Sequence, residues 1–331
     1  MKLIAFTSGK NLDITKIKLK LLPMQPLVPV YTGHTQTVLG HFVPSLTKKR
    51  KYREHILKLA DGDELHLLYW DNKGPVTVSL CHGLGGNSES DYIRRAADIA
   101  IARNWNVVLV NHRRASMKAK AKKSYHSGRG EDLSEVIEWS KKKFKKSKQV
   151  SAGFSMSGSI LLNLLCGRYG TEKPDFGVVV NAPLELGDAA AKLSRGFSKT
   201  YDIRFFLVLK KLIESGSDVK LPKWGRTFDI DQLYTSKANG FKDAQDYYTS
   251  CSSLPYVENI QTKTFVLSAY DDPFIDVNGY LKAKWSDSVH LTLQKYGGHM
   301  GYFNKIKDPK YGRRWLDHYL GSVFEQIQGL T

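Results

Sequence analysis

Gly153-Phe154-Ser155-Met156-Ser157-Gly158 is the stretch on which the reading of this chain turns. Val150–Phe154 before it is short, apolar and small enough for a buried strand. Gly158–Cys166 after it has helical spacing. A serine between strand and helix, flanked by small residues, has the context of a nucleophile elbow, where a sharp turn lifts the hydroxyl above the sheet. The usual string is G-x-S-x-G, and here position 157 is Ser. Serine is small, so the turn is expected to survive. Ser157 is the poorer nucleophile candidate, because its own preceding small position would be Ser155 and the turn would fall too late after the strand. A turn of glycine and serine that binds nothing has the same composition, so the surroundings must decide.

Outward from this stretch the pattern is regular. His55–Leu59 and Glu64–Trp70 flank Asp61-Gly62-Asp63 as a hairpin. Val76–Cys81, Trp105–Val110 and Phe176–Val180 are apolar runs of buried strands, and Asp91–Arg103, with Ser90 as its cap, and Glu131–Lys143 are amphipathic helices. This alternation predicts an α/β fold built on a doubly wound, mostly parallel sheet. The alternation pauses at Pro183. Helical signals at Leu184–Leu193, Phe205–Ile213 and Phe241–Tyr248 follow before Thr264–Leu267 and Val289–Leu293 resume the strands and a helix near Gly312–Gln326 ends the chain. The expected division is an N-terminal arm over 1–54 that packs on the body, an α/β core over 55–182 and 259–331, and a helical cap over 183–258. The prolines at 23, 26, 29 and 44 leave the arm without strong periodicity.

A serine hydroxyl needs a base, and the base an orienting acid. On such a sheet their chain order is Ser, then Asp or Glu, then His. Gly297-Gly298-His299-Met300-Gly301 follows the last strand, and glycines let a loop histidine approach another segment closely, so His299 is the expected base. Ala269-Tyr270-Asp271-Asp272-Pro273-Phe274 leaves the preceding strand. Asp272, three residues after Ala269, is favoured as the acid, with Asp271 as a turn or capping residue. His82-Gly83-Leu84-Gly85-Gly86-Asn87 follows the strand Val76–Cys81 and matches no phosphate-binding string. It reads as an oxyanion loop, with backbone donors expected at Leu84 and Met156.

These strings resemble the YheT-like family of α/β-hydrolases, grouped as esterases, over nearly the whole chain from Pro29. The similarity is carried by Thr32-Gly33-His34-Thr35-Gln36-Thr37, Asp61-Gly62-Asp63, the His82–Gly86 loop, Asn111-His112-Arg113-Arg114, Tyr125-His126-Ser127-Gly128 with Glu131-Asp132, and the acid and base loops. Shorter likenesses are Gly196-Phe197-Ser198 and Asp246-Tyr247-Tyr248. The resemblance implies an α/β-hydrolase fold with Ser155 as nucleophile, Asp272 as acid and His299 as base. Ser157 and Arg114 depart from it, each standing where glycine is common. Structural work is expected of His34 and Gln36 (arm to body), Asp132 (helix cap), and Tyr125 and His126 (packing beside the site).

The 331 residues carry 50 Lys/Arg against 32 Asp/Glu, a net +18. Residues 1–60 net +9 and residues 101–150 net +10, so the remaining 221 are near neutral. Lys48–Lys51, Lys118–Lys123 and Lys141–Lys148 motivate a rival reading as a binder of nucleic acid or anionic lipid. Solvated faces are the ordinary use of such runs, so no specific nucleic-acid partner and only weak contact with an anionic membrane are expected. The three cysteines have neither disulfide-framework nor metal-ligand spacing, and no cofactor or metal is expected. The apolar stretch within Met1–Phe6 is shorter than a signal peptide's, and no run reaches the roughly 18 apolar residues of a membrane span. A cytoplasmic location follows as the expectation. The expected activity is cleavage of carboxylic esters through an acyl-enzyme, with a small-molecule ester as partner. An acyltransferase or thioesterase would use the same triad. Phe197, Tyr201, Phe205, Phe206, Leu207 and Tyr234 make the cap region apolar, as either an acyl site or cap packing. Oligomeric state and natural substrate are not legible.

Overall fold

The computed structural model describes residues 17–45, 47–48, 50–215 and 217–331. The N-terminal stretch read for targeting lies outside them. The chain runs α1 (Gly33–Phe42), β1 (Arg53–Lys58), β2 (Glu64–Trp70), β3 (Val76–Cys81), α2 (Asp91–Ile101), β4 (Asn106–Asn111), α3 (Gly130–Lys143), β5 (Lys148–Phe154), α4 (Met156–Leu165) and β6 (Phe176–Val180). Helices α5 (Leu186–Leu193), α6 (Lys199–Glu214), α7 (Thr227–Ile230), α8 (Ser236–Ala238) and α9 (Ala244–Cys251) separate β6 from β7 (Lys263–Ala269). Then come α10 (Val277–Lys282), β8 (Val289–Gln294), a β9–β10 hairpin (Phe303–Asp308, Gly312–Arg314) and α11 (Trp315–Gln328).

The eight-stranded sheet has the order β1-β2-β4-β3-β5-β6-β7-β8. The first two neighbour pairs are antiparallel and the remaining five parallel. β3 and β4 are buried on both faces, which is why β4 reads as a continuous apolar run and why the polar positions of β3, Thr77 and Ser79, are small. Successive residues still divide between faces. Val107 and Leu109 join a core with α2 and α11, whereas Val108 and Val110 join one with α3 and α4. The segment between β6 and β7 has a small core of its own, formed by Phe206, Leu209, Ile213, Leu221, Ile230 and Tyr234.

Several local expectations change. The arm contains helix α1, opened by a reciprocal Thr32–Thr35 capping box. Ser90 does not cap α2, because its hydroxyl accepts from the Asn87 amide instead. Helix α4 begins at Met156 rather than Gly158, directly after the serine. The β9–β10 hairpin had no sequence expectation and displaces the start of the last helix to Trp315. Asp132 does not cap α3. It forms a two-pronged pair with Arg113, at 2.7 Å from both Nε and Nη2. Among the described residues no helix is long and apolar enough to cross a membrane. Four exposed lysines of the basic runs have acids beside them: Lys118 with Glu54, Lys141 with Glu172, Lys142 with Glu138 and Lys148 with Asp175.

Two buried charge arrangements have opposite consequences. Arg113 also reaches Asp61 at 2.8 Å and Asp63 at 2.5 Å, so one guanidinium joins the β1–β2 turn, the end of β4 and the start of α3. Arg113→Ala leaves buried carboxylates uncompensated and should cost on the order of 3–5 kcal/mol in urea unfolding. Asp231, by contrast, has Tyr248 Oη–H at 2.8 Å as its partner. Burial pushes its carboxyl up to about 7, against the Tyr248 hydrogen bond. Folded Asp231 keeps its proton to higher pH than the unfolded chain does, so it erodes stability as pH rises from about 4 through about 7. Asp231→Asn should therefore raise Tm over wild type by ~2–4 °C at pH 8, and by less at pH 5. Thermal unfolding of both proteins at the two pH values checks this.

Candidate active site

Ser155 occupies the junction of β5 and α4 with φ 54° and ψ −123°, a conformation that L-residues rarely adopt. Its amide is held by Val180 O at 2.8 Å on the neighbouring strand. The turn is tight on both sides. A Cβ at Gly153 would lie 2.3 Å from Ser157 O, and one at Gly158 would lie 2.6 Å from Ala182 Cβ. The close approach after the serine thus falls at 158 rather than 157, which is why Ser157 is tolerated.

The three expected side chains meet. Ser155 Oγ lies 2.9 Å from His299 Nε2, and His299 Nδ1 lies 2.8 Å from Asp272 Oδ2. Asp272 also accepts from the amides of Phe274 at 2.8 Å and Ile275 at 3.1 Å. All its partners are donors, so His299 carries its hydrogen on Nδ1 and turns the Nε2 lone pair to the serine hydroxyl. Asp271 points elsewhere, its Oδ1 accepting the Gly298 amide at 2.8 Å. Its other oxygen is buried with no partner among the described residues, and burial pushes its carboxyl up to about 6. That geometry separates the neighbouring aspartates, which spacing alone left open.

Residues that sequence reading missed hold this arrangement. Asn181, just past β6, donates to Asp272 Oδ2 at 2.6 Å, and its carbonyl accepts from Tyr302 Oη at 2.9 Å. In the arm, Thr37 Oγ1 accepts the His299 amide at 2.8 Å and donates to Gly33 O at 2.6 Å. Gln36 brackets Phe303, accepting its amide at 2.6 Å and donating to its carbonyl at 3.1 Å. Gln36 therefore ties arm to body as expected. His34 instead faces the helices after β6, stacked on Tyr201 at 5.9 Å and edge-on to Phe197 at 5.0 Å. Asn181 belongs to no string that the sequence offered, so only Gln36 and Thr37, within Thr32–Thr37, carried a signal.

The glycine loop after β3 lies against the serine. A Cβ on Gly83 would sit 2.9 Å from Ser155 Cβ, so only glycine allows this approach. Gly83 N–H donates to Tyr92 Oη at 2.9 Å and Gly85 N–H to Tyr125 Oη at 2.7 Å. Between them the Leu84 amide, like that of Met156, has no acceptor among the described residues. Tyr125 therefore does pack beside the site, whereas His126 lies against Phe241 and Tyr247. Two cavities open on Ser155 and His299. One runs under the helices after β6 between Leu186, Leu193, Phe205 and Leu209, and the other lies between α1, α2 and α6. Of the apolar and aromatic residues expected there, Phe205 and Tyr201 reach the cavities, Phe206 and Tyr234 pack inside the helical segment, and Phe197 and Leu207 are exposed. Among the described residues no three His, Cys, Asp or Glu side chains converge as a metal site.

No protein-family model matches the chain. It is 30% identical over 290 residues to "Putative esterase YheT" of Escherichia coli (strain K12), covering 81% of this chain and 84% of that one. It is 26% identical over 327 residues to "Phospholipase ABHD3" of Homo sapiens, covering 91% and 77%, and 27% identical over 326 residues to "Monoacylglycerol lipase" of Saccharomyces cerevisiae, covering 93% and 67%. Among solved structures, the Pyrococcus furiosus esterase Pf2001 aligns with a TM-score of 0.58 at 16% identity, over 94% of this chain and 99% of that one, a likeness of fold. With identity of 30% sustained across more than four-fifths of both chains, and a mostly parallel sheet flanked by helices, this chain belongs to the YheT-like family of α/β-hydrolases, enzymes of the ester-hydrolysing kind.

Proposed function

We propose that the chain cleaves carboxylic esters by acyl transfer to Ser155, with His299 as base and Asp272 as the orienting acid. The observation that carries this reading is the 2.9 Å and 2.8 Å hydrogen-bond chain from Ser155 through His299 to Asp272. His299 Nε2 takes the hydroxyl proton as Oγ attacks the acyl carbon. The amides of Leu84 and Met156, without an acceptor among the described residues, receive the developing oxyanion, and each such donor is worth roughly 3–4 kcal/mol of barrier. His299 then passes the proton to the leaving alcohol, and water, activated by the same imidazole, releases the acid. The helices between β6 and β7 act as a cap over residues 183–258, and the apolar cavity beneath them takes the acyl chain. The substrates are short- to medium-chain acyl or lipophilic esters, and the lipase and phospholipase names of the relatives support the lipophilic kind. The basic runs lie outside this chemistry.

Ser155→Ala should abolish hydrolysis of p-nitrophenyl esters and labelling by a fluorophosphonate; retained turnover would sink the assignment. Asp272→Asn should lower kcat by ~10⁴, because His299 would lose its orienting acceptor and adopt the wrong tautomer. Asp271→Asn should change kcat less than about tenfold. Steady-state kinetics on the paired variants decides between the two aspartates. Along a graded series of acyl chain lengths, Phe205→Ala should shift the preferred length upward, read as kcat/KM.

A further inference from the structure

Ser157 stands where the usual elbow string has glycine, and its side chain is fully buried beneath the oxyanion loop. Its hydroxyl touches two groups, the backbone carbonyl of His82 and His112 Nε2, the latter at 2.6 Å. A carbonyl only accepts, so the single Ser157 proton goes to His82 O and Ser157 Oγ accepts from His112. His112 therefore carries its hydrogen on Nε2. His112 Nδ1 has no partner among the described residues. The His112 amide lies 3.3 Å from His82 Nε2, which must accept it. That leaves the hydrogen of His82 on Nδ1, 2.8 Å from Gly83 O. Every proton in the network has one place. Burial, which pushes His82 down to about 4 and His112 well below its ordinary range, keeps both imidazoles neutral.

The consequence reaches the reacting groups through two peptide planes. In a trans peptide the C=O and N–H point in opposite directions. The His82–Gly83 plane is held on its carbonyl side by Ser157 and on its N–H side by Tyr92 Oη at 2.9 Å. The next plane, Gly83–Leu84, is held by its carbonyl, which accepts from His82 Nδ1 at 2.8 Å and from the Gly86 amide at 3.1 Å. Its free end is the Leu84 N–H.

We propose that Ser157 is a positioning residue for the reaction: by bonding the His82 carbonyl and the His112 imidazole, it fixes the Gly83–Leu84 peptide so that the Leu84 N–H faces the oxyanion. The proposal rests on the roles given above to Ser155 and Leu84. It makes the departure at 157 a part of the oxyanion device, because a glycine there supplies no hydroxyl and leaves the His82 carbonyl and the His112 donor unpaired.

The test compares wild type with Ser157→Ala and Ser157→Gly, using p-nitrophenyl butyrate as substrate and a trifluoromethyl ketone as a tetrahedral-adduct inhibitor. Losing an oxyanion donor outright costs roughly 10²–10³ in kcat, so loosening its orientation should cost about tenfold. KM should hold, and ketone affinity should weaken by the same factor as kcat, because only an interaction made in the transition state is lost. Tyr92→Phe loosens the other side of the same plane, and its effect should combine non-additively with Ser157→Ala. Unchanged kcat and ketone affinity in a variant with wild-type Tm would overturn the proposal, as would a loss of kcat without loss of ketone affinity. The glycine variant gives the same readout should the alanine variant fold poorly. Activity persisting in Ser155→Ala would instead overturn the reading of the site on which the proposal rests.

Discussion

The backbone of Ser155, at φ 54° and ψ −123°, is the constraint around which the molecule is arranged. An unsupported chain would relax from that conformation, so the surroundings must over-determine it. They do so with the Val180 carbonyl on its amide, a glycine on either flank where no Cβ fits, and helix α4 starting one residue later. The turn in turn sets the direction of the hydroxyl. It also sets the amide of Met156, the first of α4, whose orphan N–H groups make the helix N-terminus favourable for negative charge.

Most of the rest of the site is brought to that turn by loops leaving the C-terminal ends of parallel strands. The glycine loop follows β3, Asn181 follows β6, the two aspartates follow β7 and the histidine loop follows β8. Parallel strands put these ends on one edge of the sheet. The loops are then cross-tied to one another: Asn181 to Asp272, Asp271 to the Gly298 amide, and Ser157 to the His82 carbonyl. The arm completes the set from outside the sheet, with Thr37 on the His299 amide. A segment with little periodicity of its own thus positions the proposed base, and its mid-chain counterpart, Arg113, locks the hairpin turn to α3.

The positive charge, the most conspicuous property of the composition, has a peripheral place in this scheme. Several lysines of the second basic segment lie on the surface beside a carboxylate, as Lys142 does with Glu138 one helical turn away. Exposed pairs of this kind contribute at most about 1 kcal/mol each. The buried arginines matter more. Arg113 bonds three aspartates, and Arg114 adopts φ 63°, the left-handed conformation that accounts for the glycine common at that place.

The order of strands and helices was legible in the sequence because buried parallel strands leave short apolar or β-branched runs and amphipathic helices a periodic pattern, and Val76–Cys81 and Phe176–Val180 match to the residue. Ser155, His299 and the glycine loop were legible because sharp turns and close approaches demand small residues at set spacings. Sequence could favour Asp272 but not separate it from Asp271, since adjacent residues share a loop and only side-chain direction distinguishes them. It was silent on Asn181 and misread Asp132 as a cap, because hydrogen bonds between positions far apart in the chain leave no local pattern. It also treated Ser157 as a blemish in a motif. The tertiary structure alone decided that this hydroxyl meets the His82 carbonyl, because that contact joins residues 75 apart in sequence and exists only once β3 lies beside β5.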